Sequence, residues 1–417
     1  MPTTHQSNTV DEAFFKPLTG LAAQSAYTRP CPEFSDENYL RCGVQRVLES
    51  TTSGRAFLQE HGARLTQAPT QSNYFATLHS PRRLALLADV NQRLLTSATK
   101  TLQDRLAEIP ELATYQCFAM DGHWHKAAAH DPRHEGTKMA VGHFYSLNLR
   151  AHTLQPLAVG QGWHEHDMSA LKRLRPKGLR QGVPKGQRVL IVYDKAGIDF
   201  DYWKRCRQES AVYFLSRAKE NMVLEWVESR DWDQTDPRNR GVWGDWRVKS
   251  RAGHALRLVC YIEPASGKAY EFLTNEPDLP PGVLVELYRR RWEVEKVFDA
   301  IKNKLDEKKA WATSLVAKQT QAQFVALTHN LLLLYEQALE RRHGLTYQAE
   351  DERRRKRLEA CTQASRQTGR PLSTLVSIAR GATQRSVKFI RWLRQSIRDR
   401  HAEATAVLHL KVLYASL

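Results

Sequence analysis

No apolar run approaches the ~18 residues that a membrane-spanning helix needs. The longest, at residues 331–335, is far shorter, so no membrane partner is expected. Neither a charged n-region nor an apolar h-region follows Met1, so a secretory leader is not expected. The six cysteines (Cys31, Cys42, Cys117, Cys206, Cys260 and Cys361) are scattered and form no Cys-x-x-Cys pair. That spacing argues against a disulfide framework or a zinc ribbon. It fits free thiols in a reducing cytoplasm.

What is plentiful is positive charge. The 417 residues carry 62 Lys and Arg against 45 Asp and Glu, a net +17, with a pI of about 9.7. The excess is uneven. Residues 1–115 hold 11 of each sign, residues 116–340 hold 34 basic against 28 acidic, and residues 341–417 hold 17 against 6. A charge concentrated in this way is an electrostatic footprint for a polyanion. The length suits two or three domains. A hydrophobic fraction of 41% with 10 Trp, 14 Tyr and 13 Phe can build cores and argues against disorder.

Residues 1–30 are polar and weakly patterned, with a loosely ordered start. From Asp36 a helical period takes over: Leu40, Val44, Val47 and Leu48, then Phe57 and Leu58, then an amphipathic stretch at 84–106 that opens at Ser80-Pro81. Near Leu112 the texture changes. Residues 115–120 read as a strand running into a turn at Asp121-Gly122, and 141–149 with 153–159 read as a hairpin. Residues 163–174 look helical, 188–193 form a buried strand ending at Asp194, and a helix over 199–207 precedes a strand at 212–215. Further β-like stretches lie at 256–262 and 269–273, followed by a strong helix over 282–305 and a mostly helical remainder. The expected class is α/β, with three domains: a helical N-terminal domain at 1–112, an α/β core at 113–310, and a helical basic C-terminal domain at 311–417.

Asp121 and Asp194 each follow an apolar run. If those runs are neighbouring strands, both carboxylates reach the same end of the sheet. Carboxylate oxygens suit Mg²⁺, and two or three of them can hold a pair of ions about 4 Å apart that activates a nucleophile for phosphodiester chemistry. The plainer alternative is that each aspartate caps a turn. On the 282–305 helix, Tyr288, Arg291, Glu295 and Lys302 fall within an arc of roughly 60°. An ordinary solvated face with an i,i+4 ion pair would also produce that row.

Tyr288-x₂-Arg291-x₃-Glu295-x₆-Lys302 resembles the Tyr-Arg-Glu-Lys signature of DDE transposases of the IS-four family of bacterial insertion sequences. Val-Tyr-Asp-Lys-Ala-Gly-Ile-Asp at 192–199 is similar to that family's second-aspartate block, and residues 213–219 and 272–275 resemble further segments of it. Asp121-Gly122 matches the first-aspartate block, with His123 where Ser or Thr is expected. The likeness runs from about Asp36 to beyond Lys302. It implies a ribonuclease H-like core, with Asp121, Asp194 and Glu295 as the catalytic, metal-binding triad for two Mg²⁺ ions, Mn²⁺ being able to substitute. It also implies a compact β-rich insertion at about 210–278, because only 100 residues separate Asp194 from Glu295. Tyr288, Arg291 and Lys302 would grip phosphates near the cleaved end. Trp243 or Trp246 would receive a flipped base, although a Trp in a β-rich segment is more often core. The activity implied is cut-and-paste DNA transposition through a hairpin intermediate. Its partners would be inverted-repeat end DNA and target DNA, handled by a homodimer in a synaptic complex, nucleoid-associated in a bacterial cytoplasm. Two other readings stay open: a ribonuclease H-like nuclease or resolvase without strand transfer, and a domesticated DNA-binding protein.

His123, His125, His130 and His134 raise the question of zinc, but the intervening residues read as a DNA-facing loop. Lys172, Arg173, Arg175, Lys177, Arg180, Lys185 and Arg188 form a basic stretch that could neutralise phosphates beside the metal site. The run at 353–357 and the set Arg385, Lys388, Arg391, Arg394 and Arg398 could do likewise, with Trp392 inside the basic arc. In the neutral N-terminal region, Arg41, Arg46, Arg82 and Arg83 are the candidates for a local basic face.

Overall fold

The structure is a computed structural model that describes residues 8–49, 53–62, 69–128, 130–131, 133–134, 137–138, 141–161, 165–264, 266–299, 301, 305, 309–345, 356, 359–360, 363–364, 366–367 and 385–415. The chain divides into two compact units. One comprises Met1–Thr96, Ala300–Glu307 and Leu327–Leu417; the other comprises Ser97–Asp299 and Lys308–Ala326. Residues 1–96 and 327–417, taken from the expected N- and C-terminal domains, thus fall within a single unit.

That first unit is helical. It contains α1 (Val10–Ala23), α2 (Asp36–Leu48), α3 (Gly54–His61), α4 (Gln71–Leu78) and most of α5 (Pro81–Thr101). It also takes the C-terminal part of α10 (Leu315–His343) and two last helices, Arg385–Arg398 and Glu403–Ala415. Residues 1–30 read as polar and weakly patterned, yet α1 begins at Val10. Thr9 and Glu12 close a reciprocal capping box around its start, at 3.2 and 2.9 Å. Val10, Phe14, Phe15 and Leu18 supply its buried stripe, and Phe14 meets Tyr335 edge-on at 5.6 Å. No described helix is long and apolar enough to cross a membrane.

The second unit is built on a nine-stranded mixed sheet. Its strands are β1 (Tyr115–His125), β4 (Val141–Asn148), β5 (Leu154–Val159), β6 (Arg188–Val192), β7 (Val212–Arg217), β8 (Leu224–Ser229), β9 (Val242–Ser250), β10 (Ala255–Ile262) and β11 (Ala269–Thr274). The order across the sheet is β5-β4-β1-β6-β7-β11-β10-β9-β8, while β2 (Arg133–His134) and β3 (Thr137–Lys138) form a separate two-residue ladder. The three central strands β1, β6 and β7 are parallel and the wings antiparallel. The β-rich segment expected as an insertion therefore extends the central sheet, because β11 pairs directly with β7.

Three helices matter to the central strands: α6 (Asp167–Lys172), α7 (Phe200–Ser210) and α9 (Trp292–Asp299). Asp199 caps α7 through Tyr202 N–H at 2.9 Å, and Trp203 stacks on Phe214 of β7 at 5.3 Å. Phe118, Met120, Ile191 and Tyr193 share one core cluster with α6 and α7 residues. Strand alternation sends Asp121 and His123 to the other face, where α9 lies and His123 meets Phe298 at 5.4 Å.

Asp121-Gly122 is not a turn: both lie inside β1, paired with Tyr145 and Phe144 of β4. Gly122 is needed for space, since a Cβ there would sit 3.0 Å from the Phe144 ring. The helix expected over 282–305 is two helices, α8 (Pro281–Arg290) and α9. At the junction Arg291 N–H bonds Tyr288 O and Val294 N–H bonds Arg291 O, both at 3.1 Å, the tighter i→i+3 pattern that divides the helices.

Candidate active site

The parallel pairing of β1 with β6 runs from Tyr115–Arg188 to Ala119–Val192. Two residues beyond that last pair stand Asp121 on one strand and Asp194 just past the other. Both carboxylates are thus carried to the same level at one end of the sheet, on the face that packs α9. Asp194 also caps the turn Lys195–Gly197, its Oδ1 accepting from Ala196 N–H at 2.8 Å. Ser216 on β7 fixes its backbone by donating from Oγ to Asp194 O at 2.8 Å.

From α9 and the junction before it come the other charges. Arg291 donates from Nη2 to Glu295 Oε1 at 2.7 Å, and its Nη1 lies 3.8 Å from Asp121 Oδ2. Arg291 is 7% exposed, its guanidinium carbon rests 5.7 Å from the Tyr288 ring centroid, and its Nε has no hydrogen-bond partner among the described residues. One buried fork therefore touches two carboxylates from different elements. Burial pushes the Asp121 carboxyl up to about 6, with Asp194 and Asp167 adding to the rise and Gly122 N–H and Arg291 opposing it. Asp167, at the start of α6, is likewise raised by burial and by Asp194.

This donor set fits a divalent cation. All the donors are carboxylate oxygens, and a buried carboxyl whose charge is disfavoured by its neighbours is relieved by a cation. Among the described residues, no three His, Cys, Asp or Glu side chains close around a metal position as they stand. Asp121 and Asp194 share one sheet end, with Glu295 on α9, and the three close no metal cage as they stand.

Residues 148–331 match the family model of the transposase DDE domain. The match supports a DDE transposase. No curated protein sequence matches the chain. The cryo-EM structure of a piggyBac transposase synaptic complex with hairpin DNA is similar over 96% of this chain and 81% of its own, at 12% identity and a TM-score of 0.35. So loose a likeness fixes neither fold nor function.

The transposase-domain match includes Asp194, Tyr288, Arg291 and Glu295 but begins after Asp121. Tyr288 is buried and packs on Phe272 at 4.8 Å. Lys302 lies outside the described residues. Trp243 stands exposed on β9, whereas Trp246 on the same strand packs edge-on against Trp226 at 5.0 Å. Trp226 is 54% exposed on the edge strand β8, and sequence reasoning missed it because it lies outside every motif.

Other charged groups serve the fold itself. Lys172 pairs with Asp199 and Arg173 with Glu165, leaving Arg175, Lys177 and Lys185 as exposed cations of that stretch. Arg180 turns inward and donates to four backbone carbonyls, those of Ser210, Val183, Pro184 and Gln187. His123 and His125 do not sit in a loop. They are buried on β1, and His125 meets His143 at 4.2 Å. His130 is exposed, and the side chain of His134 lies outside what is described.

The four arginines expected to make a basic face on the helical unit are engaged within the fold. Arg41 pairs with Asp11 at 2.5 Å, Arg82 pairs with Asp36 at 2.7 Å, Arg46 is buried against Tyr74, and Arg83 is buried against Phe34. Trp392 faces the core with its Nε1 donating to Ala406 O at 2.8 Å, and Arg398 pairs with Glu49. Of the basic run at 353–357, only Lys356 is described, and it is exposed.

Asp167, Tyr193 and Ser216 had no role in the sequence reading. Tyr193 lay in a quoted block beside Asp194, a signal that could have found it. Asp167 carried none.

Proposed function

We propose that the chain is a DDE transposase of the IS-four type. Its sheet unit would be a ribonuclease H-like core at about 113–310, flanked by DNA-binding and basic helical regions. Asp121, Asp194 and Glu295 would hold two Mg²⁺ ions, for which Mn²⁺ could substitute. The observation that carries the reading is Arg291 lying between Asp121 and Glu295, with Asp194 level with Asp121 just past the adjoining strand. A transposase-domain match over 148–331 supports the same class.

When bound, such ions would activate the attacking oxygen and stabilise the leaving oxygen of a phosphodiester. The chain's own residues would do the rest. Asp121 and Asp194 would fix the reacting end against the sheet, and Arg291, freed from one carboxylate, would offer its bare Nε to a phosphate oxygen. Tyr288 would orient that guanidinium, while Lys302, Arg175 and Lys177 would add charge along the DNA path. Hydrolysis of one strand at an inverted-repeat end, attack of the freed 3′-hydroxyl on the opposite strand to give a hairpin, hydrolysis of that hairpin to regenerate the 3′-hydroxyl, and its joining to target DNA would follow. A homodimer would hold both ends together, and Trp243 would be positioned to receive an unstacked base. The place of work would be the bacterial nucleoid.

The experiment is strand transfer. The purified chain is incubated with Mg²⁺, pre-cut terminal inverted repeats from the DNA flanking its coding region, and a supercoiled target. Joined products support the transposase. Nicking without joining points instead to a nuclease or resolvase, and end binding with neither points to a domesticated DNA-binding protein.

A further inference from the structure

On the sheet face opposite the three proposed carboxylates, one hydrogen bond ties together the elements that carry two of them. Tyr193, immediately before Asp194, is 3% exposed, and its hydroxyl donates to Asp167 Oδ2 at 2.8 Å. Asp167 opens α6 and lies against the backbone that follows Asp121: a Cβ on Gly122 would sit 3.1 and 3.2 Å from its two oxygens. The Tyr193 ring in turn lies directly on Gly197, where a Cβ would fall 1.4 Å from Cδ1. Gly197 ends the short turn that Asp194 caps. Glycine at both positions therefore lets a carboxylate and a ring close in behind the two aspartates.

We propose that the Asp167–Tyr193 hydrogen bond is a brace that sets the spacing of Asp121 and Asp194, making both members positioning residues for the metal site. This rests on the transposase reading of that site. The bond joins α6 to the end of β6, and Asp167 abuts β1, so the three segments cannot shift independently while it holds. Asp167 acts here as a hydrogen-bond acceptor, and its charge is secondary. Neither Trp243 nor the basic stretch at 172–188 has a comparable link to the carboxylates.

Three variants test the brace. Tyr193→Phe keeps the ring on Gly197 and removes the hydroxyl, Asp167→Ala removes the acceptor, and Asp167→Asn keeps an oxygen acceptor without the charge. The readout is Mn²⁺ affinity of the end-DNA complex, followed by the electron paramagnetic resonance of free Mn²⁺, with end-DNA affinity and melting measured alongside. Tyr193→Phe and Asp167→Ala should weaken Mn²⁺ binding by about 10- to 100-fold, as losing a partner that orients a metal ligand does, with Asp167→Asn within about threefold of the parent. End-DNA affinity should not move. Parent-like Mn²⁺ binding by Tyr193→Phe overturns the brace. So does Asp167→Asn binding as weakly as Asp167→Ala, which would make the charge itself the agent. If the Mn²⁺ series holds but the parent neither cuts nor joins end DNA, the transposase reading falls and the brace stands; a parent that binds no Mn²⁺ overturns both.

Discussion

Arg291 holds Glu295 at 2.7 Å while its other terminal nitrogen stands 3.8 Å from Asp121, so one guanidinium spans a helix junction and a central strand. A planar fork can meet two carboxylates and still present a third nitrogen, whereas a lysine ammonium is a single point of charge. Arg291→Lys is therefore expected to lower the single-turnover cleavage rate by about 100-fold, the scale of losing one preorganised donor to developing charge. End-DNA affinity should change little. Unchanged cleavage by Arg291→Lys would show that the spanning geometry is incidental.

His143 gives a pH dependence. It is fully buried, and burial pushes its pKa down to about 3, with the His123 and Lys318 charges acting in the same direction. A histidine depressed in the folded state is neutral there while the unfolded chain takes up a proton below its ordinary pKa of about 6.5. This group therefore imposes no cost above about 6.5 and a growing cost as pH falls towards 3, near 1.4 kcal/mol per pH unit. His143→Gln should flatten the acid limb of unfolding free energy against pH by that slope. Parallel acid limbs for variant and parent would contradict a neutral buried imidazole.

Gly197→Ala should be costly out of proportion to one methyl group. The Tyr193 ring occupies the place of the new Cβ, so either the turn or the ring must move. The expected loss is about 1–3 kcal/mol or more, the range for overpacking a filled core. Calorimetric melting checks it. Gly186→Ala is not a fair control, because its φ of +91° strains any side chain. Gly20→Ala is suitable: a Cβ there meets nothing within 4 Å, and melting should be unchanged or slightly raised.

The two candidate tryptophans of β9 should separate cleanly. Trp243 is exposed, so Trp243→Ala should leave stability within about 0.5 kcal/mol. Trp246 packs against Trp226 and the sheet cluster, so Trp246→Ala should lower the melting temperature by several degrees. Under the transposase reading, Trp243→Ala should also weaken binding to unpaired-end DNA by about 1–3 kcal/mol, the value of one stacked base. A destabilised Trp243→Ala with unchanged DNA binding would return that residue to a structural role.

Much of the central sheet was legible because its strands are short apolar runs bounded by turn residues. The runs around Phe118, Ile191 and Phe214 became β1, β6 and β7. What misled was local chemistry read without its tertiary partner. Asp-Gly after an apolar run signals a turn, but at Asp121-Gly122 pairing with β4 carries the strand on to His125. A polar flank obscured α1, whose Phe14 packs on Tyr335, more than three hundred positions away. The row of Tyr288, Arg291 and Glu295 was found by assuming one helix. The chain breaks at Arg291, yet the Arg291–Glu295 pair survives because both sides of the break remain helical. Arg41, Arg46, Arg82 and Arg83 look basic in a list of charges, and each has a partner that only folding brings near. Asp167 was invisible for the same reason: Tyr193 lies 26 residues away.

Under the transposase reading, Asp194 and Glu295 perform metal-dependent strand cleavage at the ends of a transposable element. The most direct measurement is Mg²⁺-dependent cleavage of inverted-repeat end DNA by the parent, Asp194→Ala and Glu295→Ala, with end binding quantified in the same samples. Cleavage by the parent alone, with end affinity shared by all three proteins, is the expected result. Metal-dependent cleavage retained by either variant would contradict it.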